Sequence, residues 1–291
     1  MLWLFRFFSR WPLRLLHAMG AGLGWGVWLL SARYRAHFRA NVAQAGLSMQ
    51  AARPAIAETG RFVGELPRLW MRPRSQSCLG NVRVEGRAHA EQAFAQGRGV
   101  IFIGPHCGSF ELATQALAEL YGPLAALYRP ARKAWLARLE RIARDRHNLA
   151  VMPASLGSIR RMHKTLKANQ AVAMLTDQVP PEGWGIWAPF FGKPAYTMTL
   201  AARLALQSGA ALLPVSCERL PRGQGYFLKI WPALTGPGAG EKREQSEKGD
   251  RPDLLQAVTR INQAIETIVL SQPGQYLWAY ARYKTPRKDT A

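Results

Sequence analysis

From Gly99 onward the chain alternates short apolar runs with longer amphipathic ones, and no other feature restricts the fold as much. Residues 99–104, 124–128, 149–152, 171–176, 211–217 and 226–231 read as buried strands. Residues 111–120, 133–146, 156–168 and 199–207 read as helices between them, and 253–270 as a last helix. Strands that are apolar along their whole length are covered on both faces, and parallel neighbours need crossover segments of this length. The pattern therefore predicts an α/β fold, with a mostly parallel or mixed central sheet flanked by helices. No repeat is visible, which excludes a solenoid. Residues 236–251 (GPGAGEKREQSEKGDR) are Gly-rich and charged and read as a flexible surface loop.

The N-terminal part is different in kind. Its first acidic residue is Glu58, and residues 15–30 carry no ionised side chain apart from His17. This run is a little short of the ~20 residues that cross a bilayer. Gly20, Gly22, Gly24 and Gly26 interrupt it, which a membrane helix tolerates better than a soluble one. Trp3, Phe7, Phe8 and Trp11 precede the core of the run, Trp25 and Trp28 lie near its end, and arginines flank it on both sides. The segment predicts a membrane anchor or interfacial helix over residues 1–33, followed by one domain over 34–291. A cleaved signal peptide fits poorly, because Ser31-Ala32-Arg33 offers no small-x-small cleavage site. Residues 34–72 read as helical, with Pro54 at a helix start, Pro67 as a kink or break, and Arg72-Pro73-Arg74-Ser75 as a junction.

Charge narrows the partners. The chain has 39 Lys+Arg against 18 Asp+Glu, a formal net charge of +21, so its partners are anionic. Nucleic acid is poorly supported, since no recognised module accompanies the charge and the N-terminus seeks membrane. Lys133, Arg138, Arg141, Arg144 and Arg146 lie in or near one predicted helix. That face suits either an acidic carrier protein or anionic headgroups, and a merely solvated face is the plain alternative. Cys78, Cys107 and Cys217 are scattered, which argues against a zinc site or a disulfide framework and points to a reducing compartment.

The sharpest local signal is Gly104-Pro105-His106-Cys107-Gly108-Ser109-Phe110-Glu111. His106 falls just past a strand end and Glu111 in the first turn of the next helix. Ligands of open α/β sheets bind at the carboxyl ends of strands. A histidine there can take a proton from a hydroxyl, and a carboxylate on its other ring nitrogen would fix the tautomer. Gly108 lets the chain turn sharply. Arg129 and Asp177 follow two further predicted strands, so a parallel sheet would bring His106, Arg129 and Asp177 to one rim. Asp177 reads equally well as a solvated loop charge.

These pieces occur in a recognisable order: His106 with Glu111, Tyr128-Arg129-Pro130, Thr176-Asp177-Gln178, Ala188-Pro189-Phe190-Phe191-Gly192, Arg203 in Ala201-Ala202-Arg203-Leu204-Ala205, and Gln275-Tyr276-Leu277-Trp278 with Arg282. The whole set, with Asn41 near the start, resembles the bacterial lipid A biosynthesis lauroyl/myristoyl acyltransferases of the HxxxxD/E acyltransferase superfamily. The resemblance implies an O-acyltransferase that moves a fatty acyl chain from an acyl-carrier-protein or acyl-CoA thioester to a hydroxyl of a lipid A precursor or other glycolipid. It implies no metal and no cofactor beyond that co-substrate, and a place at the bacterial inner membrane with the catalytic domain on the cytoplasmic side. It makes His106 the general base and Glu111 its orienting partner. Arg129, Asp177 and Arg203 become substrate-binding residues, with Arg129 meeting phosphate or the developing oxyanion. Phe190, Phe191 and Gly192 resemble a turn beside the acyl channel. The chain departs from the family in Cys107-Gly108-Ser109-Phe110, which fills the variable gap, and in Ala281 before Arg282, which leaves the acceptor open. The reaction would be direct transfer, because a thioester is already activated. An acyl-cysteine on Cys107 is the less favoured route, since neighbours in sequence rarely face each other. Within the same chemistry the acceptor stays open to another glycolipid, an aminolipid or a polyene-type lipid, and a thioesterase and a non-catalytic lipid-surface protein are the competing classes.

Overall fold

The computed structural model describes residues 2–128, 131, 133–144, 146–235 and 251–288. For Ala134, Arg138, Arg141, Arg144 and Arg251 it describes the backbone alone. Arg129 and nearly all of the expected loop at 236–251 lie outside the described residues.

Five helices come first: α1 (Leu2–Ser9), α2 (Leu13–Leu30), α3 (Ala32–Gln44), α4 (Met49–Ala52) and α5 (Pro54–Trp70). The α/β part follows as β1 (Val82–Glu85), α6 (Arg87–Ala95), β2 (Val100–Gly104), α7 (Phe110–Tyr121), β3 (Leu124–Tyr128), α8 (Ala134–Arg144), β4 (Leu149–Pro153), α9 (Leu156–Lys167) and β5 (Ala171–Leu175). A hairpin of β6 (Gly185–Phe190) and β7 (Lys193–Met198) precedes α10 (Leu200–Ser208), β8 (Ala211–Arg219), β9 (Tyr226–Ile230) and α11 (Arg251–Ser271).

The main sheet has seven strands in the order β1-β9-β8-β2-β5-β3-β4. All neighbours run parallel except β8 and β9, so the sheet is mixed. β2 is central and buried on both faces, as its unbroken apolar sequence requires. Phe102 and Val100 point to the layer holding α7, and Ile101 and Ile103 to the layer holding α10 and α11. β6 and β7 form a separate antiparallel ribbon. Phe191 and Gly192 join them with φ of +47° and +72°, the left-handed pair that a two-residue hairpin turn needs.

The N-terminal segment is not a free-standing anchor. α2 lies along α5, backbone against backbone, through Gly20 and Gly24 on one helix and Gly60 and Gly64 on the other. A Cβ placed on Gly60 would come within 1.9 Å of the Gly20 carbonyl oxygen, and one on Gly24 within 2.2 Å of the Ile56 oxygen. Small residues four apart on both helices are what allow this approach. The glycines that read as features of a membrane span therefore serve, at Gly20 and Gly24, to dock the helix. Among the described residues no single helix is long and apolar enough to cross a membrane, although α2 and α3 together, bent by 97°, reach that length and composition. The opposite face of α2 is uncovered. Leu15, Met19, Leu23, Val27 and Leu30 form one stripe, with Leu23 59% and Leu30 90% exposed.

Two further expectations change. Pro54 does open α5, but Pro67 lies inside it, and the helix runs on to Trp70. Arg146 does not belong to a docking face. Its guanidinium donates to the carbonyls of Leu69, Trp70 and Arg72 and so caps the end of α5. Burial, with Arg72 nearby, brings its pKa down to about 10.

Candidate active site

Strand register builds the site. β2 and β5 pair in parallel with Gly104 opposite Leu175. His106 and Asp177 each lie two residues beyond that pair, so the chain delivers them to the sheet rim side by side. The Nδ1 of His106 is 2.7 Å from Asp177 Oδ1, and the backbone N–H of His106 donates to Oδ2 at 3.0 Å. Asp177 is only 3% exposed. Burial alone pushes its pKa up. The charge of His106, the two hydrogen bonds and the more distant Arg282 outweigh it and hold the carboxyl below its usual range. An ionised carboxylate can only accept, so Nδ1 carries the hydrogen and Nε2 is left as the basic nitrogen.

This corrects one expectation from sequence. The carboxylate on Nδ1 is Asp177, not Glu111. Asp177 is not a solvated loop charge: it is buried behind the imidazole and is not among the residues that line the cavity in front of it. Glu111 is in the first turn of α7 and lines the cavity in front of His106. Phe110 packs edge-on against the His106 ring at 4.8 Å between centroids.

That cavity has a volume of about 580 Å³. Its lining carries the polar side chains of His106, Glu111, Thr114, Gln115, Gln178 and Ser216, and its apolar walls lie on both faces of the sheet: Phe102, Ala113, Leu117, Ala126 and Ala173 toward α7, and Ile159, Met174, Met198 and Leu200 on the opposite face. Ala126 and Ala173 come from neighbouring strands β3 and β5. Having no side chain beyond Cβ, they leave the room that larger residues would fill. A largely apolar cleft with a few polar groups suits a ligand with a long hydrocarbon tail.

The remaining expected residues divide. Arg129 follows β3, the strand next to β5, but lies outside the described residues. Arg203 is exposed on α10, its Nε donating to Thr199 Oγ1 at 3.2 Å, and is outside the cavity lining. Cys107 is 2% exposed, and burial pushes its thiol well above the ordinary range, which leaves it without the thiolate an acyl-cysteine route needs.

Of the other polar residues that tie the frame together, Arg282 and Asn41 belong to the motif set quoted above, whereas Glu65 and Arg219 gave no local signal. Arg282 is 2% exposed and donates to Tyr196 O and Thr197 Oγ1, tying the C-terminal segment to β7. Asn41 donates to the carbonyls of Trp278 and Tyr280, fastening α3 to the same segment. Glu65 and Arg219 form a buried ion pair beneath the His106 turn.

Residues 1–285 match the family model described as bacterial lipid A biosynthesis acyltransferase. The chain belongs to that family. It is 31% identical over 239 residues to the lipid A biosynthesis palmitoleoyltransferase of Escherichia coli (strain K12), covering 79% of this chain and 71% of the relative. It is 27% identical over 203 residues to the lipid A biosynthesis lauroyltransferase of the same organism, covering 69% and 61%. A more distant likeness, 27% over 154 residues, links it to the phosphatidylinositol mannoside acyltransferase of Mycobacterium tuberculosis (strain ATCC 25618 / H37Rv), covering 52% and 48%. This family member is an acyltransferase, and the pair and cavity described above are its candidate active site.

Proposed function

We propose that this acyltransferase moves a fatty acyl chain from an acyl-carrier-protein thioester to a hydroxyl of a lipid A precursor or a related glycolipid, with His106 as general base. The observation that carries the reading is the His106–Asp177 pair, with His106 lining a largely apolar cavity of about 580 Å³. The acyl chain occupies the part of the cavity under α7, which places its thioester carbonyl beside the imidazole.

Nε2 takes the proton from the acceptor hydroxyl as its oxygen bonds to the thioester carbon. The C–S bond then breaks, and the departing thiolate takes the proton back from the imidazolium. Asp177 stabilises the imidazolium while it exists. No covalent enzyme intermediate is needed, in keeping with the buried Cys107 thiol. Glu111, at the cavity, positions the acceptor. Arg129, next in sequence after the last residue of β3, meets acceptor phosphate or the developing oxyanion.

The uncovered stripe of α2, with Trp3 and Phe7 exposed on α1, supports an enzyme that lies on the inner membrane with these side chains in the lipid. Arginines near such a surface each contribute about 1 kcal/mol against anionic headgroups. Three unpaired cysteines suit the cytoplasmic side, where the thioester donors are found. The likeness to mycobacterial phosphatidylinositol mannoside acyltransferases favours, as the second reading, a glycolipid acceptor other than lipid A.

The test is transfer by purified protein in detergent from defined acyl-carrier thioesters to a panel of glycolipids. His106→Ala is expected to abolish transfer while its circular dichroism matches wild type. Undiminished turnover in that variant would end the reading, and free fatty acid released in the presence of acceptor would make the protein a thioesterase. The acceptor that is esterified separates the two glycolipid readings.

A further inference from the structure

The most heavily bonded buried charge in the described part of the molecule is outside the catalytic pair. Glu65, on α5, is 0% exposed. Its Oε1 accepts from Ser109 Oγ (2.7 Å) and Arg219 Nη2 (2.9 Å). Its Oε2 accepts from Arg219 Nε (2.8 Å) and the Tyr226 hydroxyl (3.1 Å), and faces His17 Nε2 at 3.1 Å. Arg219, at the end of β8, is 3% exposed and also donates to the Gly108 carbonyl at 2.6 Å. Burial pushes both groups toward neutrality. Their pairing outweighs it, so Glu65 lies below its usual range and Arg219 above.

The targets of this pair are Gly108 and Ser109, the middle two of the four residues between His106 and Glu111. Every polar atom of the two that does not enter α7 is held. Gly108 N–H donates to Gln275 O and Ser109 N–H to Cys217 O, while Gly108 O and Ser109 Oγ go to Arg219 and Glu65. Gly108 has a φ of +59°, and a Cβ there would meet Cys217 O at 2.1 Å, so only glycine fits this turn. An aromatic line runs beside it: His106 against Phe110, Phe110 stacked on Phe62 at 4.4 Å, and Arg219 over Phe62. Phe62 and Glu65 are one turn apart on α5.

We propose that Glu65 and Arg219 are positioning residues, which fix the His106–Glu111 turn so that the base and the start of α7 keep the separation the reaction needs. The inference rests on the acyl-transfer reading above and adds to it a part played by α5. Through His17, and through the glycine contact of α2 with α5, the seat of the N-terminal helix is joined to the same turn. A role confined to stability predicts something different. It would lower the unfolding temperature of variants and leave the turnover of each folded molecule unchanged.

The experiment is steady-state kinetics and thermal unfolding of Glu65→Gln and Ser109→Ala in detergent, assayed well below their unfolding temperatures. Displacing a reacting group by about 1 Å costs up to ~100-fold in rate. Glu65→Gln is therefore expected to lower kcat by roughly 10- to 100-fold with KM for the acyl thioester within about two-fold. Ser109→Ala, which removes one hydrogen bond and no charge, is expected to lower kcat per folded molecule several-fold and to cost less stability than Glu65→Gln. Wild-type kcat per folded molecule in Glu65→Gln overturns the proposal. If Glu65→Gln does not fold, Ser109→Ala decides alone: wild-type kcat per folded molecule overturns the proposal, and a lowered kcat per folded molecule, assayed well below its unfolding temperature, upholds it. A wild-type protein that transfers no acyl group to any glycolipid overturns the functional reading and this inference together.

Discussion

Replacing Asp177 by Asn tests the catalytic pair with the smallest change of shape. The carboxylate accepts two hydrogen bonds from one residue, at 2.7 Å from Nδ1 and 3.0 Å from the backbone N–H of His106. Asn has one acceptor oxygen, so its amide group must face one of those donors. Either the backbone hydrogen bond is lost or the imidazole is driven to the other tautomer, with its proton on Nε2 where the base should be vacant. The imidazolium formed during proton transfer also loses its counter-ion in a site only 3% exposed. Breaking a buried charge pair costs roughly 3–5 kcal/mol, which corresponds to about 10²- to several-thousand-fold in rate. Removal of the orienting carboxylate in the serine-protease triad lowers kcat by about 10⁴, the same order. The expected result is a kcat reduced by at least ~100-fold with KM nearly unchanged, since Asp177 lies behind the imidazole. Radiolabelled acyl transfer from a carrier thioester, with circular dichroism as the check on folding, measures it. A folded Asp177→Asn enzyme within about three-fold of wild type would refute the reasoning.

Three other outcomes follow from the same geometry. Gly60→Ala puts a methyl group 1.9 Å from the Gly20 carbonyl and is expected to destabilise the protein by about 1–3 kcal/mol in denaturant titration, whereas Gly22→Ala, which meets nothing within 4 Å, is expected to be neutral or to stabilise by roughly 0.5–1 kcal/mol. Cys107→Ala is expected to retain transfer, with no acylated protein detectable by mass spectrometry in either form. Asp177 and Glu65 both ionise more readily in the folded state than in the unfolded one. Their stabilisation is therefore complete above the ordinary carboxylate range near pH 4 and is lost as pH falls through their lower folded values. Unfolding free energy should accordingly drop from about pH 5 to about pH 3, and less steeply in Glu65→Gln.

The α/β frame was legible because its strands are short runs of apolar residues with helices of fitting length between them. β3 matches residues 124–128 as expected, and β2, β5, β8 and β9 agree within one or two residues. β1 was missed because Val82-Arg83-Val84-Glu85 is a four-residue edge strand with only two apolar positions. The β6–β7 ribbon was missed because Pro189 and Pro194 argue against strands, and because Phe191 takes a left-handed conformation that its side chain does not announce. At the site, strand ends pointed to His106 and Asp177 separately. Their pairing depends on the register that puts Gly104 opposite Leu175, which local spacing does not encode, and the five-residue spacing to Glu111 drew the carboxylate role to the wrong residue. Glu65 and Arg219 are 154 positions apart and belong to no motif, so only the packing of α5 beneath the turn reveals them. The uncharged N-terminal run was read correctly as apolar. What the sequence hid is that half of its glycines serve to dock the helix on α5.

The most direct measurement is a structure of the protein bound to an unreactive analogue of the acyl donor in which an amide N–H replaces the thioester sulfur. The account predicts the hydrocarbon chain between the sheet and α7, against Ala126 and Ala173, with the carbonyl carbon on the Nε2 side of the His106 ring, where a hydroxyl donating to Nε2 can reach it, and Nδ1 still on Asp177. A chain lodged elsewhere, or a carbonyl on the far side of the turn from the imidazole, would contradict it.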